Sequence, residues 1–141
     1  MGVKLKGISR AKSNLDKFIS TVEGKRAVRA IYSALFIIGA ASAKEVPRDT
    51  STLVNSQFRD VNVRGGMVMG RVGYSAAYAA AVHEAPGKYL NTQTDRPVGP
   101  GESPGSRGVI WGPSGNPKFL YWPAKDSESE VRAAIIREMS L

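Results

Sequence analysis

Between residues 85 and 118 the chain carries thirteen glycines and prolines: Pro86, Gly87, Pro97, Gly99, Pro100, Gly101, Pro104, Gly105, Gly108, Gly112, Pro113, Gly115 and Pro117. Proline fixes φ and has no N–H to donate, and glycine loses the most entropy on ordering. Such density leaves little room for helix or strand, so regular structure is confined to the two flanks. A loop of this length inside a compact domain is either functional or disordered. Val109-Ile110-Trp111 is its one apolar island, a short strand or a contact point. The functional reading is an extended loop that orders against a neighbouring subunit through these three residues. The plain reading is a flexible surface insertion.

The N-terminal flank begins with a basic, aperiodic arm, residues 1–12. Ser13 and Asp16 form a capping-box pattern. Leu15, Phe18, Ile19, Val22, Ala27, Val28, Ile31, Leu35, Ile38 and Ala41 then recur at helical spacing. This predicts one long helix over 13–45, with Gly24 as a weak point costing about 1 kcal/mol against alanine. Pro47 ends it, because the residue before a proline is pushed out of the helical region. Asp49-Thr50-Ser51-Thr52 is turn chemistry. Leu53-Val54 and 58–63 read as strand, Gly65-Gly66 as a hairpin turn, and 67–74 as the returning strand. Residues 76–81 are mostly helix formers. Tyr78 and Val82 would share a face packed on the sheet, leaving His83-Glu84 at the rim. After the insertion, Phe119-Leu120-Tyr121-Trp122 reads as a last strand. Pro123 then sits at a helix start, and Ser127 with Glu130 gives a second capping box. Val131, Ala134, Ile135 and Met139 form the apolar face of a C-terminal helix.

The expected fold is therefore α+β: a long N-terminal helix and a C-terminal helix packed on a small twisted antiparallel sheet, with a long Gly/Pro-rich loop insertion. It is one domain over 1–141. After the arm (1–12) and the helix (13–45) come the sheet and short helix (51–84), the loop (85–118), and the last strand with the C-terminal helix (119–141).

Chemistry is harder to find. There is no cysteine, so no disulfide or thiolate site, and His83 is the single histidine. The residues Met1 to Lys6 hold no apolar core for a signal peptide. No apolar run approaches the roughly 20 residues of a membrane span, so no membrane partner is expected. Asp49, Asp60 and Glu84 are candidate Mg²⁺ ligands of a nuclease, but cap, strand surface and rim are the better reading for them. No nucleophile elbow, P-loop or dinucleotide fingerprint occurs. No catalytic residue, metal or cofactor is expected, and the chain reads as a non-enzyme. The net charge of +8 allows phosphate contacts without sequence reading. Lys4, Lys6, Arg10 and Lys12 are the candidate DNA-facing residues, and a small basic non-sequence-specific DNA-binding protein is the alternative reading.

One resemblance spans most of the chain. A long helix is followed by Pro47, Asp49, Thr50, Leu53 and Ser56, then a hairpin, then Gly73-Tyr74, Tyr78-Ala79 and His83-Glu84. Later come Phe119-Leu120, Pro123-Ala124 and a terminal helix. The order resembles the small neck and tail-completion proteins of tailed bacteriophages, often described as minor tail or minor capsid proteins. The one departure is Ser51, where that family usually has glycine. The resemblance implies a virion protein assembled in the host cytoplasm, a ring-forming subunit at the head–tail junction. It implies a hexamer, or a twelvefold ring on the portal side. The partners would be copies of itself, connector and tail proteins, and the DNA passing through the channel.

Overall fold

In a computed structural model, residues 9, 10, 12, 13, 17, 21–48, 51–112 and 114–140 are described. The elements are α1 (Val22–Glu45), α2 (Thr52–Asn55), β1 (Gln57–Arg64), β2 (Met67–Tyr74), α3 (Ala79–His83), α4 (Tyr121–Asp126) and α5 (Glu128–Met139). The fold is α+β, with N- and C-terminal helices around a two-stranded antiparallel sheet.

The N-terminal expectations need correction. Ser9, Arg10, Lys12, Ser13 and Lys17 already have helical backbone, so Ser13 is not the cap and the arm is not without structure throughout. Asp16 lies outside the described residues. A fresh helix starts at Thr21, whose backbone is extended (ψ 153°) and whose Oγ1 accepts the Gly24 N–H at 2.9 Å. The cap forms three residues ahead of Gly24, which thereby falls in the first turn. There glycine's poor propensity matters less than it would in a helix interior. The C-terminal end is as expected: Val46, before Pro47, is extended at φ −68°, ψ 129°.

The hairpin follows its sequence signals. Gly65 and Gly66 take φ of 57° and 79°, both central positions being left-handed as a type I′ turn requires. Pairing runs unbroken from Arg64↔Met67 to Gln57↔Tyr74. α1 packs on one face of the hairpin and α5 packs on α1. The close approach is made at Gly70: a Cβ there would overlap Ile31 Cγ2 and lie 3.1 Å from both methyls of Leu35.

Two expected strands are helical instead. Leu53 and Val54 lie in α2, entered through Ser51 in the left-handed region (φ 63°, ψ 1°). Tyr121 and Trp122 begin α4, directly after Phe119 has turned into the core. Pro123 is the third residue of α4, where its missing N–H leaves no helical bond unmade. Ser127 does precede α5, but its side chain makes no cap bond, so the second capping box is not formed. Its N–H bonds Pro123 O at 3.0 Å, so α4 runs almost directly into α5.

α1 also corrects the expectation about membrane spans. By length and composition its 24 residues are long and apolar enough to cross one. Counting uninterrupted apolar runs missed this, because glycine and serine punctuate the helix without making it polar. In this fold its sides carry the hairpin and α5.

Candidate functional site

Residues far apart in sequence converge on Phe119, which is 1% exposed. Val46, Leu53 and Ala79 share its buried cluster, with Val54, Tyr74, Ala76, Val82 and Leu120 packed around it. Two rings meet Phe119 edge to face: Tyr74 at 5.2 Å and 84°, and His83 at 5.1 Å and 81°. Such pairs add about 0.5–1.5 kcal/mol beyond their area burial. α3 therefore packs on this cluster rather than on the sheet, and Tyr78 is left largely exposed.

A directional chain of hydrogen bonds crosses the same centre. Gln57 Nε2 donates to Gly39 O (2.9 Å) and to Tyr74 Oη (2.8 Å). Ser42 Oγ donates its single proton to Phe119 O at 2.7 Å. The Tyr74 hydroxyl must then be the donor in its own 2.7 Å bond to Ser42 Oγ. Hairpin, α1 and the end of the loop are thus tied through one serine that is 0% exposed.

His83 and Glu84 close the rim. The Tyr121 N–H donates to His83 Nε2 at 3.3 Å, so Nε2 carries the lone pair and Nδ1 the proton. Nδ1 then donates to Glu84 Oε1 at 2.8 Å. Glu84 Oε2 pairs with Lys118 Nζ, and the Lys118 N–H donates to His83 O at 2.8 Å. The Lys118 hydrogen bond, then the one from His83, holds the Glu84 carboxyl below its ordinary value of 4.5. The imidazole is fully engaged in joining α3 to the start of α4.

The other motif residues surround this centre. Ser56 Oγ donates to Leu53 O (2.7 Å), and the Ser75 N–H donates to Ser56 O (3.0 Å), stitching α2 to the end of β2. Pro47 and Tyr78 line a cavity of about 400 Å³ with Ser51, Leu53, Ile110 and Trp111. Gly73 lies under the Phe58 ring on the hairpin. Asp49 and Thr50 lie outside the described residues.

The loop is where expectation and structure differ most. It folds on its own chain. An isolated antiparallel bridge joins Asp95 and Val109, with Ile110 N–H to Thr94 O at 2.7 Å and Arg96 N–H to Gly108 O at 2.8 Å. Glu102 pairs with Arg107 at 2.7 Å, which lowers the carboxyl's pKa. Trp111 is 8% exposed and donates Nε1–H to Gly115 O at 3.2 Å. Asn116 anchors the returning strand of loop to Glu45, by backbone (2.8 Å) and side chain (2.6 Å). Of the candidate interface island Val109, Ile110 and Trp111, the tryptophan is thus buried within its own subunit, and the other two are half-buried. Local turns and bridges satisfy the backbone without a long ladder, which glycine and proline counts alone do not reveal.

The remaining candidates do not assemble. Asp60 pairs with Arg71 at 3.1 Å while Glu84 is held at the rim. Among the described residues no three of His, Cys, Asp and Glu gather as metal ligands. Arg10 and Lys12 are exposed and helical, and Lys4 and Lys6 lie outside the described residues. Sequence reasoning missed Ser42, Gln57 and Lys118. Ser42 had a signal, a hydroxyl within the most apolar stretch of the helix. No protein-family model, curated protein or solved structure matches the chain.

Proposed function

We propose that this chain is a structural protein of a tailed-bacteriophage virion, a ring-forming subunit of the neck or tail-completion layer that joins connector to tail. One observation carries the reading. The motif positions on which the resemblance rests, Leu53, Tyr74, Ala79 and His83, gather with Phe119 into a framework of packing and hydrogen bonds. In that framework the polar atoms of His83, Tyr74 and Glu84 tie separate elements together, which supports a scaffold role. Ring-building subunits also leave apolar surface for their neighbours. Phe36, Met67, Trp122 and Ile136 are each more than half exposed, at 62%, 62%, 52% and 60%.

The proposed partners are further copies, the adjoining connector and tail proteins, and the DNA in the channel, whose phosphates a basic chain would attract. The test is the protein content of purified particles. The chain should be present by mass spectrometry in several copies per virion, and be released with the neck or tail fraction. Its absence from infectious particles would end this reading.

A further inference from the structure

Among the described residues both edges of the hairpin are unpaired, and the turn dictates which backbone groups face them. A two-residue turn makes its flanking pair, Arg64 and Met67, mutually hydrogen-bonded. Alternation then points Met67, Met69, Arg71 and Gly73 inward to β1, and Val68, Gly70 and Val72 outward. On β1 the outward residues are Arg59, Val61 and Val63. Among the described residues no backbone hydrogen bond reaches these outward groups from elsewhere in the chain. α1 covers a face of the sheet, and among the described residues no further strand pairs with either edge.

Natural edge strands are usually guarded by charge, proline or a bulge. β2 has no proline, its pairing shows no bulge, and its one charge, Arg71, is paired to Asp60. Two exposed methionines, Met67 at 62% and Met69 at 45%, lie beside that edge on the face away from α1.

We infer that the β2 edge docks the β1 edge of a second copy of this chain, extending the hairpin into a sheet that runs from subunit to subunit. The inference rests on the ring reading above and names its contact. The geometry agrees on three counts. Both strands are eight residues long. Copies related by rotation about a ring axis present β1 antiparallel to the neighbouring β2, the orientation already used within the chain. Repeating the internal register sets the outward Val68, Gly70 and Val72 opposite Val63, Val61 and Arg59 of the second copy, so all the facing groups are outward ones. On the exposed face the same register seats each Arg71 between two Asp60 carboxylates, one from each copy. The contact is heterologous, which is the kind that closes rings.

The full chain tests this by hydrogen exchange and sedimentation. On assembly, the outward amides of β2 (Val68, Gly70 and Val72) and of β1 (Arg59, Val61 and Val63) should gain about tenfold or more protection as concentration rises, while the inward hairpin amides change little. Val72→Pro removes an outward donor from β2, and Val61→Pro one from β1, both at positions an edge strand tolerates. Each variant alone should fail to assemble, and an equimolar mixture should stop at a heterodimer through the one intact pair of edges. Should either proline variant not fold, exchange in the unsubstituted chain decides alone. Assembly with these six amides unprotected overturns the edge contact and leaves the ring standing. A chain monomeric at every concentration overturns both.

Discussion

Replacing Ser42 by alanine probes the hydrogen-bond chain on which the fold is centred. The hydroxyl is fully buried, donates to Phe119 O and accepts from Tyr74 Oη. Ser42→Ala leaves a buried carbonyl and a partly buried phenol without their partner. Each orphaned group costs about 1–3 kcal/mol. Alanine's better helix propensity returns about 0.5 kcal/mol. The expected loss is about 1.5–5.5 kcal/mol, a large share of the ~5–15 kcal/mol that holds a domain together. Tyr74→Phe should cost less, about 1 kcal/mol, because Gln57 keeps Gly39 O as an acceptor. The double variant should be less destabilised than the sum of the two, because they break the same bond. Urea unfolding followed by circular dichroism reads all three. A Ser42→Ala loss below about 0.5 kcal/mol, the range of an ordinary surface substitution, would refute the reasoning.

Further outcomes follow from single positions. Ser51→Gly should stabilise by about 1 kcal/mol, since a φ of 63° strains serine and not glycine, and a melting temperature checks it. Gly70→Ala should destabilise by about 1–3 kcal/mol in the same assay, because the new methyl meets Ile31 and Leu35 of α1. Trp111→Ala should cost about 3 kcal/mol and speed protease cleavage within 85–118, which is seen by timed digestion. For Glu84 the folded carboxyl titrates below its ordinary 4.5. Its contribution is therefore complete above that value and is lost as pH falls through the lower folded value. Glu84→Gln should flatten that acid limb of a stability–pH profile.

Much of the architecture was legible wherever a local signal sufficed. Gly65-Gly66 needs no tertiary information to turn a hairpin, and Pro47 none to stop a helix. At Leu53-Val54, burial by distant residues outweighed the local pattern. Leu53-Val54 and Tyr121-Trp122 are short apolar runs that suit strand or helix equally. Packing around Phe119 decided for helix at Leu53-Val54, whereas Tyr121 and Trp122 stay about half exposed and enter α4 just after Phe119. Thr21 displaced Ser13 as a cap, and Ser127 kept its position without using its hydroxyl. The site was half readable. Tyr74, His83 and Glu84 were named from order and spacing, whereas the hydroxyl relay through Ser42 depends on a contact between residues 42 and 119. The departure at Ser51 turns out to sit at a left-handed position, the conformation glycine adopts most readily.

The claim that matters most is that this chain builds a ring between head and tail. A cryo-electron-microscopy map of the particle's head–tail junction tests it most directly. The account predicts density fitted by α1, α5 and the hairpin, repeated with cyclic symmetry around the DNA channel. A junction fully explained by other proteins, with no density for this chain, would contradict it.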